Sequence, residues 1–154
     1  MKRNTKRLVL FGCLTLAMML AIFLFSAQDG TESGSLSAWL AESAFGRVLL
    51  KILPPLSDQG MDHDLRKYAH MAEFALLAMP AFGFFRELLG KRTRWPAFLT
   101  GLLFCFLYAC SDEFHQLFVS GRAGQFTDVL IDTVGVVFGL TAACVLSFLR
   151  KEST

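Results

Sequence analysis

The sequence has 154 residues and a formal net charge of +2 at pH 7; 54% of the residues are hydrophobic and 18% are charged. Its 16 Phe residues exclude intrinsic disorder, because disordered chains are polar and poor in aromatic residues. Four Cys are too few for a secreted disulfide scaffold of this length. The chain also lacks the basic stripe of a nucleic-acid-binding protein, so we expect no nucleic-acid partner. This composition is typical of a membrane protein.

Four apolar runs predict four transmembrane helices, at about residues 8–27, 67–88, 95–114 and 128–149. The uncharged run at 8–25 would reach about 27 Å as a helix, close to the thickness of the hydrocarbon core. It is longer than the apolar part of a signal peptide and lacks a good cleavage site, so we expect an uncleaved helix. Four such runs leave too little polar surface to cover a soluble domain. The sequence therefore predicts an all-α, integral membrane four-helix bundle in a single domain, 1–154.

The distribution of Lys and Arg predicts the orientation. One side of the membrane would hold ten of them: Lys2, Arg3, Lys6, Arg7, Arg86, Lys91, Arg92, Arg94, Arg150 and Lys151. The other side would hold five: Arg47, Lys51, Arg66, Lys67 and Arg122. The positive-inside rule then predicts cytoplasmic N- and C-termini and a long extracytoplasmic loop between the first two helices. Apolar residues at 36–53 predict a short amphipathic helix in that loop, with a re-entrant or partly disordered loop as the alternative.

Polar residues gather near the outer ends of all four predicted spans. They are Ser26 and Gln28 in the first, Lys67, His70 and Glu73 in the second, Asp112, Glu113, His115 and Gln116 in the third, and Asp128 and Asp132 in the fourth, with Arg122 in the loop before it. Ionisable side chains at membrane depth are costly, so they usually face the bundle interior and mark function. We therefore expect a shared polar chamber at the extracytoplasmic end. The alternative is a network of ion pairs that only holds the helix ends together.

Helical spacing supports an inward direction for the acidic residues of the last span. Asp128, Asp132, Gly135 and Gly139 fall on one stripe of a helix. The two glycines form a GxxxG pattern, which lets another helix approach closely.

His63 lies between two Asp residues before the second span, and we expect it to be a solvated loop residue.

Several ordered motifs cover nearly the whole chain: Phe25-Ser26-Ala27-Gln28, Lys67-Tyr68-Ala69-His70, Ser111-Asp112-Glu113-Phe114-His115-Gln116, Gly121-Arg122, and Asp128 with Asp132, Gly135 and Gly139. Together they resemble the VanZ-like family of membrane proteins, in which an aromatic residue usually stands at the position of Glu73. The resemblance implies a small helical protein of the cell membrane. It also implies a link to antibiotic resistance, because the founding member lowers susceptibility to the glycopeptide teicoplanin. It implies no particular reaction.

The first functional hypothesis is an outer-leaflet site for a lipid or antibiotic head group. Lys67, His70 and Arg122 would bind a phosphate or carboxylate group. The other candidate binding residues are Ser26, Gln28, Gln116 and Asp132. A lipid tail would lie against Phe114, Phe118 and Phe126. The expected partners are a membrane lipid, a lipid-linked envelope precursor or a lipoglycopeptide.

The second hypothesis is a hydrolase or transferase that acts on a lipid-linked phosphate. His70 would be the general base, oriented by Asp112 or Asp128, with Glu113 as a further catalytic candidate. The chemistry of His70, Glu73, Asp112 and Asp128 also suits a divalent metal ion. No known catalytic spacing is present, so the sequence does not decide whether the chain is an enzyme.

The third hypothesis is a small transporter or channel subunit. Four helices are few for a transporter, and the predicted cytoplasmic halves of the spans carry few polar residues. Oligomerisation could still build a path between subunits.

Overall fold

The computed structural model describes residues 4–28, 42–43, 51–56, 60–90, 94–122 and 124–149. Over these residues it contains four long helices and no strand: α1 (Thr5–Ser26), α2 (Met61–Leu89), α3 (Arg94–Gln116) and α4 (Phe126–Leu149). The all-α prediction with four helices is thus confirmed for this part of the chain. Most of the predicted loop with its amphipathic segment lies outside the described residues. So do seven basic residues used for the orientation: Lys2, Arg3, Arg47, Lys91, Arg92, Arg150 and Lys151.

The helix ends follow local backbone signals. The Asn4 side chain caps α1 by accepting a hydrogen bond from the Arg7 N–H at 3.2 Å. Gly60 precedes α2 with φ 109° and Gly90 follows it with φ 105°, a conformation that favours glycine. The helix continues through Pro80, although proline cannot donate a backbone hydrogen bond.

Three of these helices, α1, α3 and α4, are long and apolar enough to cross a membrane. They have 22, 23 and 24 residues, or about 33 to 36 Å at 1.5 Å per residue. Among the described helices, α2 is long enough but not apolar enough to meet this criterion, because charged and imidazole side chains occupy its first half. Its second half, at 74–85, carries no charge.

Helix α2 is the central helix of the bundle. It packs against the other three, most extensively against α4, whereas α1 and α4 do not contact one another in the described part of the chain. The buried apolar residues of α2 are Phe74, Leu77, Ala78, Ala81 and Phe82. Because the least apolar helix lies in the middle, its polar first half is enclosed by the ends of its neighbours.

The GxxxG pattern of α4 forms the predicted packing seam. A Cβ atom on Gly135 would overlap the backbone carbonyl oxygen of Met71, and one on Gly139 would overlap that of Ala75. Both carbonyls belong to α2, so the two helix backbones are in direct contact along this stripe.

We predict that Gly139→Ala lowers the free energy of unfolding by about 2 to 3 kcal/mol, because the added methyl group must push the α2 backbone away. Gly12→Ala is the matched control, since its Cβ would meet nothing closer than 3.4 Å, at the Phe84 ring. Denaturant-induced unfolding of both variants in detergent measures the difference. Equal stability of the two variants would contradict the proposed role of the seam.

Candidate functional site

A cavity of about 140 Å³ lies at the end of the bundle where α1 and α3 end and α2 and α4 begin. It has room for about five water molecules at roughly 30 Å³ each. Its lining comes from α2, α3, the loop 117–125 and α4: His63, Arg66, Lys67, His70, Glu113, Gln116, Gly121, Arg122, Gln125, Asp128, Ile131 and Asp132. Polar residues from four separate segments therefore share one chamber.

Seven of the site residues proposed from the sequence line this cavity: Lys67, His70, Glu113, Gln116, Arg122, Asp128 and Asp132. Helical spacing explains the contribution of α2, because Lys67 and His70 are three residues apart and share a face. On α4, Asp128 and Asp132 are four apart and continue the stripe of Gly135. This stripe of α4 therefore packs against α2 through its glycines and lines the cavity through its two Asp residues.

Asp112 belongs to a buried hydrogen-bonded group beside the cavity. The residue is 3% exposed, and its Oδ2 accepts from the Ser26 hydroxyl and from Gln116 Nε2, both at 2.9 Å. Of the three residues, only Gln116 lines the cavity. These bonds tie the end of α1 to the end of α3.

Two further sequence candidates lie away from the cavity. Gln28 is exposed just beyond α1. Glu73 lies one turn beyond the lining residues of α2, and its Oε2 is buried without a hydrogen-bond partner among the described residues. His115 does not line the cavity either; its ring packs against Phe23, with the ring centroids 4.5 Å apart.

Two lining carboxylates have donors within the protein. Asp128 forms an ion pair with Lys67, which is only 7% exposed, and this pair joins α4 to α2. Glu113 Oε1 accepts the backbone N–H of Gln125 at 2.6 Å and so holds the loop 117–125 against α3. Charge-assisted bonds of this kind are the stronger ones in proteins.

The two guanidinium groups at the cavity lack such partners. Arg122 Nη2 reaches the backbone carbonyl of Phe25 only at 3.4 Å, and its Nε is buried with no hydrogen-bond partner in the described residues. Arg66 Nη2 lies 3.5 Å from His63 Nδ1. Neither guanidinium has a described carboxylate within 4.0 Å.

Arg66 and Arg122 also repel one another. Burial lowers the pKa of the Arg122 guanidinium, the positive charge of Arg66 lowers it further, and the carboxylates around it act in the opposite direction. An arginine stays protonated under these conditions, so both remain cations. An anion placed between them would relieve this repulsion.

Five lining residues were not among the site residues proposed from the sequence: His63, Arg66, Gly121, Gln125 and Ile131. The expectation that His63 is a solvated loop residue is wrong, because it lies inside α2, is 9% exposed and lines the cavity. The signal was present in the spacing, since His63, Arg66 and His70 are three and four residues apart. It was missed because the predicted second span started at 67, six residues after α2 begins.

The metal candidates do not form a binding group. Among the described residues, no three His, Cys, Asp or Glu side chains are arranged so that they could hold a metal ion. Of the four candidates, His70 and Asp128 line the cavity, whereas Glu73 and Asp112 do not. The geometry thus gives the divalent-metal hypothesis no support.

Apolar residues surround the same end of the bundle. Phe114, Phe118 and Phe126 are 63%, 75% and 68% exposed, and the rings of the first two are in edge contact at 5.3 Å. These side chains are available to lipid.

Comparison with known proteins gives one family. The sequence model of the VanZ/LLP1 family matches residues 11–147, which include every residue that lines the cavity. No curated protein and no solved structure matches the chain significantly.

We predict that Ser26→Ala lowers the free energy of unfolding by about 1 kcal/mol, because buried Asp112 loses one of its two donors. Ser111→Ala is the control, because Ser111 lies one residue from Asp112, is exposed, and donates to the Tyr108 carbonyl of its own helix. Its effect should stay within about 0.5 kcal/mol. Unfolding in detergent measures both, and a Ser111→Ala loss as large as that of Ser26→Ala would argue against the buried network.

Proposed function

Because this chain belongs to the VanZ/LLP1 family, we propose that it is a multi-pass protein of the cell membrane whose polar cavity binds an anionic head group at the outer leaflet. The resemblance of its motifs to VanZ-like proteins supports a role in the cell envelope and in tolerance of lipoglycopeptides such as teicoplanin. In this proposal α2 is the fourth span, with both termini in the cytoplasm and the cavity on the outer side.

The packing of α2 supports its role as a span. It has 29 residues, or about 43 Å, and lies between three helices that are long and apolar enough to cross a membrane. Its neighbours shield its polar half from lipid, and its second half is uncharged. Ionisable residues in membrane helices are tolerated when they face the interior of the bundle in this way.

The observation that carries the binding proposal is the presence at one cavity of two guanidinium groups that have no carboxylate partner among the described residues. Arg66 and Arg122 meet there from α2 and the loop 117–125, without a described carboxylate partner. A guanidinium presents a planar fork of N–H donors that matches carboxylate and phosphate groups. A network built only to hold helix ends together would pair these cations with the acids nearby.

The size of the cavity limits what can enter it. Pockets for drug-sized ligands usually measure about 300 to 1,000 Å³, more than the 140 Å³ found here. The cavity therefore suits one charged group with a few waters, and not a whole glycopeptide. In our proposal the remainder of the ligand lies outside, beside exposed Phe114, Phe118 and Phe126.

The orientation gives a direct prediction. The activity of two fusion proteins reports on which side of the membrane the C-terminus lies. At a cytoplasmic C-terminus, a fused fluorescent protein should fold and fluoresce, whereas fused alkaline phosphatase should be inactive. Active phosphatase at the C-terminus would reverse the assigned orientation.

We predict that Arg122→Ala and Lys67→Ala abolish any protection against teicoplanin that the parent chain gives to a susceptible host. Lys51→Ala is the control, because Lys51 is an exposed cation on the same predicted side and does not line the cavity. Susceptibility is compared at equal membrane expression. Full protection by both cavity variants would rule out this site as the cause.

A further inference from the structure

The cavity wall has two guanidinium groups, whereas one guanidinium fork already engages both oxygens of a planar carboxylate through two parallel hydrogen bonds. Here the second guanidinium contributes from a different segment, Arg66 from α2 and Arg122 from the loop 117–125. If the ligand were a carboxylate, the second guanidinium would have to share an oxygen that already accepts from the first.

A phosphate monoester matches this arrangement better. It carries a charge of about −1.5 to −2 near pH 7 and three strong acceptor oxygens, which point in different directions. Two guanidinium groups on different walls can therefore donate to different oxygens of the same group. His63 and His70 line the cavity as well and provide further ring nitrogens on the α2 side.

The cavity lining holds three basic side chains, Arg66, Lys67 and Arg122, and three carboxyls, so an anion is favoured by where the cations without a described carboxylate partner lie and not by an excess of positive charge. Lys67 and Asp128 neutralise one another, and Glu113 is bonded to the Gln125 N–H. The last lining carboxyl, Asp132, is 2% exposed. In its charged form it would repel a phosphate, so its effect on binding has opposite signs for an anionic and a cationic ligand.

Building on the proposed function, we propose that the group bound in this cavity is a phosphate monoester, held between the guanidinium groups of Arg66 and Arg122. A cavity of about 140 Å³ has room for one such group. The exposed Phe residues beside it are suited to acyl chains, which makes a lipid phosphate one source and free phosphate the other.

The test is a calorimetric titration of the purified full chain in a nonionic detergent. Three probes are compared: dioctanoyl phosphatidic acid, the hemisuccinate of dioctanoylglycerol, and inorganic phosphate. We expect the phosphatidic acid to bind at least about tenfold more tightly than the hemisuccinate, because it uses both guanidinium groups. Inorganic phosphate that binds as tightly as the lipid would identify free phosphate as a sufficient source, and much weaker binding would identify the lipid.

Variants test the assigned residues. Arg66→Gln and Arg122→Gln should each weaken phosphatidic acid binding by about 10-fold to 100-fold, the usual cost of a lost charge-assisted bond. Asp132→Asn should not weaken it, because asparagine cannot carry the negative charge that would repel a phosphate. Arg7→Gln is the control, since Arg7 is exposed near the start of α1, at the other end of the bundle. Gel filtration and circular dichroism verify folding, and Arg122→Lys replaces Arg122→Gln if the latter does not fold.

The outcomes separate this inference from the proposed function. Equal binding of phosphatidic acid and the hemisuccinate, with loss in the arginine variants, would overturn the phosphate assignment and leave an anion site. The absence of binding by all three probes would overturn both. Weaker phosphatidic acid binding by Asp132→Asn, with normal binding by the arginine variants, would also overturn both.

Discussion

The close approach of α2 and α4 is the contact on which the rest of the structure depends. Glycine at 135 and 139 lets the α4 backbone lie against the carbonyls of Met71 and Ala75. Lys67 lies four residues before Met71, and Asp128 lies seven before Gly135, so each is on the same face as the seam. The approach that packs the two helices therefore also brings Lys67 to Asp128. One stripe of small residues thus determines both the packing of the bundle and one wall of its cavity.

Within the polar end of the bundle, two kinds of interaction are present side by side. Asp112, bonded to Ser26 and Gln116, and Asp128, paired with Lys67, join helices, although Asp112 Oδ1 has no hydrogen-bond partner among the described residues. Buried groups of this kind are costly to break and add little net stability, so they mainly specify which helix ends meet. Arg66 and Arg122 belong to neither group. The structural interpretation of the polar cluster and the proposed binding function therefore apply to different residues, and they are separated by the absence of a carboxylate partner for the guanidinium groups among the described residues.

The sequence predicted the helices well where apolar character alone determines them. The ends of α1, α3 and α4 lie within three residues of the predicted spans, and the stripe of α4 lies where its spacing indicated. The start of α2 was placed six residues late because its first two turns are polar, and a hydropathy run does not detect them. Asp112 and Glu113 were both expected in the chamber, and of the two Glu113 lines it whereas Asp112 does not. Adjacent residues point about 100° apart on a helix, and only the positions of α1 and α2 around α3 decide which of them faces the cavity.

The loop 117–125 gives the cavity its one cation from outside the helices. It is held at one end by the bond between Glu113 and the Gln125 N–H, whereas Arg122 has only a 3.4 Å contact with the Phe25 carbonyl. A hydrogen bond of that length is weak, whereas a bond from a guanidinium to an anion is shorter and joins two opposite charges. An entering anion would therefore gain more from Arg122 than the protein loses at Phe25. Phe25 is exposed at the end of α1 and Phe118 is exposed in the loop, so this exchange would take place where the bundle meets its surroundings. In the proposed function, a head group would therefore enter the cavity at this end of the bundle, and the packed helices below it would stay together.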